Sequence, residues 1–225
     1  MIDASSTSTS NQKETEERKW KDRATRPWDP PISDYELPRK IVVDVASLLS
    51  LKISVIYSSP FRRCLQTSAV AAKSLNLEEI LVHPGLGEIM TRVRKSCDDS
   101  SNDNQRLSHD DYLLTEEECA EEIKSTSYDQ VRMKIPFVSG DIPPWKETRQ
   151  QSMTRLGKTL LELQEKHAKL ELSVLIVTHG DALQAAAQSF LGQTTAVYDL
   201  DFCALMVFDA DFELRMKYGL QMLEF

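Results

Sequence analysis

The sequence is poor in the features that mark several common functions. It has no basic excess. With a formal net charge of −8 and a pI near 5.1 it presents no positive footprint for nucleic-acid phosphates or anionic lipid heads. Neither nucleic acid nor a membrane surface is an expected partner. No apolar run approaches the roughly 18 residues of a membrane span. The start, Met1 to Lys21, is polar and charged and has no apolar stretch of the kind a secretory leader carries. Cys64, Cys97, Cys119 and Cys203 stand singly, without the C-x-x-C spacing of zinc or redox motifs, in a chain too large to need disulfide staples. Free thiols in a reducing compartment follow, cytoplasmic or nuclear. Histidine and glycine are scarce as well, and neither occurs before His83.

What is present suffices for one sizeable core: 41% apolar content over 225 residues. Residues 1–25 read as a polar tail with too little to bury to offset the entropy of ordering. Residues 26–225 read as a single domain. It opens on Arg26-Pro27-Trp28-Asp29-Pro30-Pro31, where prolines favour an extended or looped path. After Pro38, Ile41, Val45, Leu48 and Leu49 recur at helical spacing. Ile53 to Tyr57 is a short β-branched strand that runs into Ser58-Ser59-Pro60, where Ser59 is placed to cap a helix and Pro60 to begin it. That helix buries Phe61, Leu65, Ala69 and Ala72 on one face and runs to about Leu75. From Thr91 to Pro144 the pattern is acidic and irregular, an inserted cap or long loop, with a capping box at Thr115 and Glu118 for one short helix. A helix from about Trp145 to Ala168 leads into Ser173 to Thr178, a continuous apolar run that reads as a fully buried strand. Two strand-then-helix units predict an α/β fold, a mainly parallel sheet with helices on both faces. A closing hairpin is expected around Asp209-Ala210-Asp211.

Three strand ends or loops hold the residues able to do chemistry. Arg62 and Arg63 fall in the first turn of the helix after the first strand, where helix N–H groups and a guanidinium together suit a phosphate; the alternative is two surface arginines on an exposed turn. His179 closes the later strand, in the position where open α/β sheets bind ligands, and Gly180 beside it lets backbone approach closely; the alternative is a structural histidine. Glu88 follows Pro84-Gly85-Leu86-Gly87 and could serve as general acid and base beside a phosphate, or simply be solvated.

Together these pieces resemble the histidine phosphatase superfamily, the phosphoglycerate mutase-like group, with its Ser-Pro-x-x-Arg-x-x-Gln-Thr motif at Ser59, Pro60, Arg63, Gln66 and Thr67, a following loop glutamate and a later His-Gly. The Arg26 to Pro31 stretch is similar to the early loop of plant-type members. The resemblance implies Arg63 as phosphate clamp, Glu88 as proton donor and His179 as the second active-site histidine that also binds the phosphoryl group. It further implies phosphomonoester hydrolysis or phosphoryl transfer through a phosphohistidine, with no metal or other cofactor. In the family the nucleophile belongs to an Arg-His-Gly triplet on the first strand, and no such triplet occurs here: the histidines are His83, His109, His167 and His179. His83 is the one candidate near the pocket but lacks a reason for in-line geometry, while His109 and His167 are expected to face solvent; Trp145 lines the pocket or packs in the core. The expected reading is a truncated or degenerate member of doubtful activity. Its alternatives are a non-catalytic module that binds a phosphorylated small molecule or phosphoprotein, and an alternative transcript or gene-start error in an ordinary phosphatase. The larger basic set of a glycolytic mutase is not evident.

Overall fold

The computed structural model describes residues 24, 26, 28–98, 112–126, 132–134, 142–168, 170, 172–192 and 195–224. His109 and nearly all of the polar tail lie outside them. The strands β1 (Ile53–Ser58), β2 (Glu79–Val82), β3 (Arg132–Lys134) and β4 (Ser173–Val177) form a four-stranded sheet in the order β3-β2-β1-β4, parallel throughout. Helices α1 (Glu36–Leu48), α2 (Arg62–Ser74), α3 (Met90–Asp98), α4 (Glu116–Ser125), α5 (Arg149–Ala168) and α6 (Gly180–Phe190) surround it.

Strand periodicity decides which helices cover which face. Alternate residues of a strand point to opposite sides, so Ile56, Ile80, Val82, Leu175 and Val177 pack with Leu65, Ala69 and Ala72 of α2 and Ile123 of α4. Val55, Tyr57, Leu81, Val174 and Ile176 turn the other way, toward Leu156, Leu160 and Leu163 of α5 and the alanines of α6. This is the expected α/β architecture with both faces of a parallel sheet covered. The face of α2 foreseen from its spacing is the buried one: Phe61, Leu65, Ala69 and Ala72 are all essentially inaccessible.

Several local expectations change. The α2 helix begins two residues later than Ser59-Pro60 suggests, with Phe61 in the cap position and no side-chain cap of its own. The donor vacancy is met from a distance, because Asp29 Oδ2 accepts the Arg62 N–H at 2.8 Å. In the 91–144 region the pattern indicates one short helix, yet α3, α4 and β3 all form there. The Thr115–Glu118 capping box is present, with Thr115 Oγ1 accepting from the Glu118 N–H at 3.2 Å and Glu118 Oε2 from the Thr115 N–H at 2.8 Å. Pairing with β2 makes a strand of β3, whose Arg-Met-Lys sequence has no apolar run to announce it. At the end of the chain, β6 (Leu205–Phe208) and β7 (Leu214–Tyr218) form the expected hairpin, and β5 (Thr195–Tyr198) pairs with β8 (Gln221–Glu224).

The largest departure is at β4. Its composition is that of an inner strand, yet all five of its residues are only half-buried, because among the described residues it pairs with β1 alone and forms the sheet's edge. Its side chains pack against helices on both faces, while among the described residues its outer N–H and C=O groups have no strand neighbour. An apolar edge of this kind is a template for strand pairing between molecules. The purified chain is therefore expected to self-associate with rising concentration, as read by light scattering over a wide dilution series; a constant monomeric mass throughout would contradict this account of the edge.

Candidate functional site

Because β1, β2 and β4 are parallel neighbours, the loops that follow them emerge on one side of the sheet. These loops hold Ser59 to Arg63, His83 to Glu88, and Thr178 to Asp181. The three residues singled out in the sequence, Arg63, Glu88 and His179, meet there in direct contact.

Arg63 is the second residue of α2, and its guanidinium is divided between two sides. Nη1 donates to Asp29 Oδ1 at 3.2 Å and to the Trp28 carbonyl at 3.4 Å. Nη2 donates to Glu88 Oε2 at 3.0 Å and to His179 Nδ1 at 2.9 Å. His179 is buried, with Phe61 edge-on at 5.0 Å between ring centroids. Burial, and then the positive charges of Arg63, Arg155 and Arg92, hold its proton affinity well below the ordinary histidine value. The imidazole is thus neutral, and the 3.4 Å approach of its Nδ1 to Glu88 Oε2 is not an ion pair. A neutral ring accepting from Arg63 at Nδ1 carries its proton on Nε2, which faces Ser59 Oγ at 2.8 Å. Ser59, expected to cap a helix, instead orients the histidine.

Asp29 went unnoticed in the sequence. It is buried to 3% exposure and receives two donors, the Arg62 N–H at the start of α2 and the Arg63 guanidinium. A carboxylate therefore already occupies the helix-terminus position expected for a ligand anion. Burial pushes its carboxyl up to about 6, against the opposing pull of the Arg62 N–H and the charges of Arg63, Arg62 and Arg26. The signal available was an acid among prolines, which is no different from an ordinary turn aspartate. Cys64, one residue past the clamp, lies with Sγ 3.8 and 3.9 Å from the two His179 ring nitrogens, and burial pushes its thiol up to about 12, so it stands as a neutral wall.

The Glu88 loop is braced from behind. Arg155 of α5 donates to the Gly85 carbonyl at 2.6 Å and the Gly87 carbonyl at 3.2 Å, and is itself held by buried Glu147 at 2.8 Å. Gly85 is required here, since a Cβ would stand 2.7 Å from Thr159 Oγ1 and 2.9 Å from His83 Cε1. At Gly180 a Cβ would meet only the flexible end of Leu200 at 3.1 Å, so the close approach there is to a side chain of the protein.

His83 and His167 serve structure. His83 Nδ1 accepts the Gly85 N–H at 3.1 Å and caps the short turn Pro84–Leu86. His167 does not face solvent as expected: the last turn of α5 folds onto β1, burying the ring, and the Tyr57 hydroxyl lies 3.0 Å from its Nε2. Trp145 packs on Tyr112 at 5.5 Å, beside the buried cluster of Trp28, Phe61 and Met90. Among the described residues no group of three acidic, histidine or cysteine side chains is arranged to hold a metal ion.

Comparisons bear on this geometry. The family model described as histidine phosphatase superfamily (branch 1) matches residues 43–134 and 106–211. Among solved structures, the ecdysone phosphate phosphatase of Bombix mori, determined in complex with tungstate, is similar at 19% identity with a TM-score of 0.44. That match covers 68% of this chain and 54% of the Bombix mori chain, about half its length. A comparison with curated proteins finds no match.

The depressed proton affinity of His179 has a consequence for stability. As pH falls, the unfolded chain takes up this proton before the folded one does. The stability gained by keeping the ring neutral is present above the ordinary value of 6.5 and is lost as pH falls below it. Denaturant midpoints of wild type and His179→Gln, measured from neutral to acidic pH, should show the wild type losing stability more steeply; parallel curves would contradict the buried neutral imidazole.

Proposed function

The chain belongs to the histidine phosphatase superfamily, and we propose that its 225 residues bind a phosphate-bearing ligand at Arg63 and His179 without turning it over through a phosphohistidine. Family membership supports a phosphatase-type function. The observation that carries the binding reading is the convergence of the Arg63 guanidinium and the first N–H of α2 on carboxylate oxygens of Asp29 and Glu88, with His179 in contact with Arg63. Donors preorganised around anionic oxygens at a helix N-terminus suit phosphate oxygens equally, and a guanidinium can meet them bidentately. In this reading Arg63 neutralises the phosphoryl charge, and His179 hydrogen-bonds it when its Nε2–H exchanges Ser59 Oγ for a phosphate oxygen. Glu88, 3.0 Å from Arg63, is the group placed to handle a proton.

The same reading denies covalent turnover. A phosphohistidine needs a nucleophilic imidazole beside the clamp, and the sequence has no Arg-His-Gly triplet. Among the described histidines, His83 is committed to a turn and His167 to Tyr57, while His179 has its two nitrogens engaged by Arg63 and Ser59. We therefore read the chain as a member lacking its covalent nucleophile, acting on a phosphorylated small molecule or phosphoprotein as a binding partner. The acidic net charge argues against nucleic acid or anionic membrane as ligand. No helix among the described residues is long and apolar enough to cross a membrane, and the free thiols Cys64, Cys119 and Cys203 suit a reducing cytoplasm or nucleus.

Two measurements test this. Titration calorimetry with inorganic phosphate should give millimolar affinity, roughly −4 kcal/mol, that disappears in the Arg63→Ala, His179→Ala double variant; negligible heat in both proteins would remove the binding reading. Hydrolysis of a generic phosphomonoester should proceed no faster than with Arg63→Ala alone, and an Arg63-dependent turnover would show that another group serves as nucleophile.

A further inference from the structure

Donors suited to a phosphate oxygen are held here by a carboxylate of the chain's own. Asp29 Oδ2 accepts the Arg62 N–H, the first of α2, at 2.8 Å, and Asp29 Oδ1 accepts from Arg63 Nη1 at 3.2 Å. A helix N-terminus beside a guanidinium is a place for an anion, and Asp29 fills it from within. Its side chain is 4% exposed, so its charge rests on these two contacts and not on water.

Displacing Asp29 has an electrostatic consequence. A phosphoryl group that takes the Arg62 N–H and Arg63 Nη1 leaves Asp29 buried with neither donor and sets a dianion beside it. A buried carboxylate stripped of its partners is costly, and a neighbouring like charge raises its proton affinity further. The groups that face Asp29 do not relieve this. On its own segment Arg26 is paired with Glu118 of α4 at 3.0 Å. On α2 the Arg62 guanidinium is paired with Glu122 at 2.8 Å, and Arg63 is shared with Glu88, another carboxylate. Cys64 of α2 and Cys119 of α4 are neutral thiols, both pushed up to about 12 by burial. Burial already pushes the Asp29 carboxyl up to about 6, against the Arg62 N–H and the charges of Arg63, Arg62 and Arg26. It is therefore ionised at neutral pH, with protonation close at hand.

We propose that Asp29 is the proton-accepting residue of the site: a phosphate-bearing dianion binds together with one proton, which Asp29 takes from solvent as it releases the Arg62 N–H and Arg63 Nη1 to the ligand. The inference rests on the reading of Arg63 and His179 as the phosphate site and deepens it by making binding proton-linked. Once protonated, Asp29 no longer competes as an anion for the same donors, and its O–H can donate to a ligand oxygen. The sign follows from linkage. The occupied site holds more protons than the empty one, so affinity rises as pH falls toward about 6 and levels off below it, where Asp29 is protonated beforehand.

Sulfate is the probe, because it has the geometry of phosphate and stays a dianion over the whole range. Calorimetry in buffers of different ionisation enthalpy counts the protons taken up. At about pH 7.5 wild type should take up close to one proton per sulfate bound, and its affinity should rise by up to about tenfold per pH unit toward 6 and then flatten. Asp29→Asn, a mimic of the protonated acid, should bind sulfate about tenfold more tightly at that pH, without proton uptake and with a flat profile. His179 is a second group able to take a proton, but its affinity lies well below 6.5, so uptake there would steepen the profile below pH 6 and would survive in Asp29→Asn. Either result overturns the role of Asp29 and leaves the phosphate site standing, as does the absence of uptake in wild type. The wild-type profile decides this even where the variant does not fold. Weaker sulfate binding by a folded Asp29→Asn at every pH would likewise overturn it. No sulfate binding by wild type at any pH overturns the phosphate site itself, and the proton coupling with it.

Discussion

The Arg63 guanidinium joins the parts of this site. One edge of it holds the loop of Trp28 and Asp29, and the other holds Glu88 and His179, so three loops from separate stretches of chain depend on one planar group. A partly buried cation is costly unless it is paired and hydrogen-bonded. Here the pairing is supplied twice over, by Asp29 and Glu88. The compensation is incomplete on the acid side, since burial still pushes the Asp29 carboxyl up to about 6. Removing Arg63 would strand two carboxylates, which makes the residue a keystone of the local fold.

The parallel sheet explains why these loops meet. Strands β1, β2 and β4 run the same way and lie side by side, and each hands its chain to the same end of the sheet, two of them directly into a helix N-terminus. The donors of α2 and the ring of His179 at the start of α6 therefore face a common space. Arginines at the starts of α2, α3 and α5 add to the same positive end. A protein acidic overall thus gathers several arginines at one end of its sheet, each paired with a carboxylate. The cost of the arrangement appears at β4, an inner strand by composition that stands at the sheet edge among the described residues.

Much of this was legible in the residues themselves. Apolar spacing announced α2 and α5, the Thr115–Glu118 box announced α4, and the β-branched runs announced β1 and β4, because periods of two and of 3.6 record which face is buried. Motif residues at strand ends pointed to Arg63, Glu88 and His179. Other features left no local mark. The strand β3 exists through pairing with β2 alone, and the burial of His167 depends on a hydroxyl from Tyr57 far away in the chain.

What the sequence by itself determined is the α/β class, the faces its helices bury, and the polar side chains that stand at the strand ends. Only the tertiary structure decided that Asp29 rather than Ser59 completes the start of α2, that Ser59 instead orients His179, and that Arg92 and Arg149 converge on Asp181. The physical reason is range. Periodicity, caps and turns are written over a few consecutive residues, whereas a salt bridge or a hydrogen bond between loops depends on where parallel strands deliver their ends, and that is settled only when the whole sheet has formed.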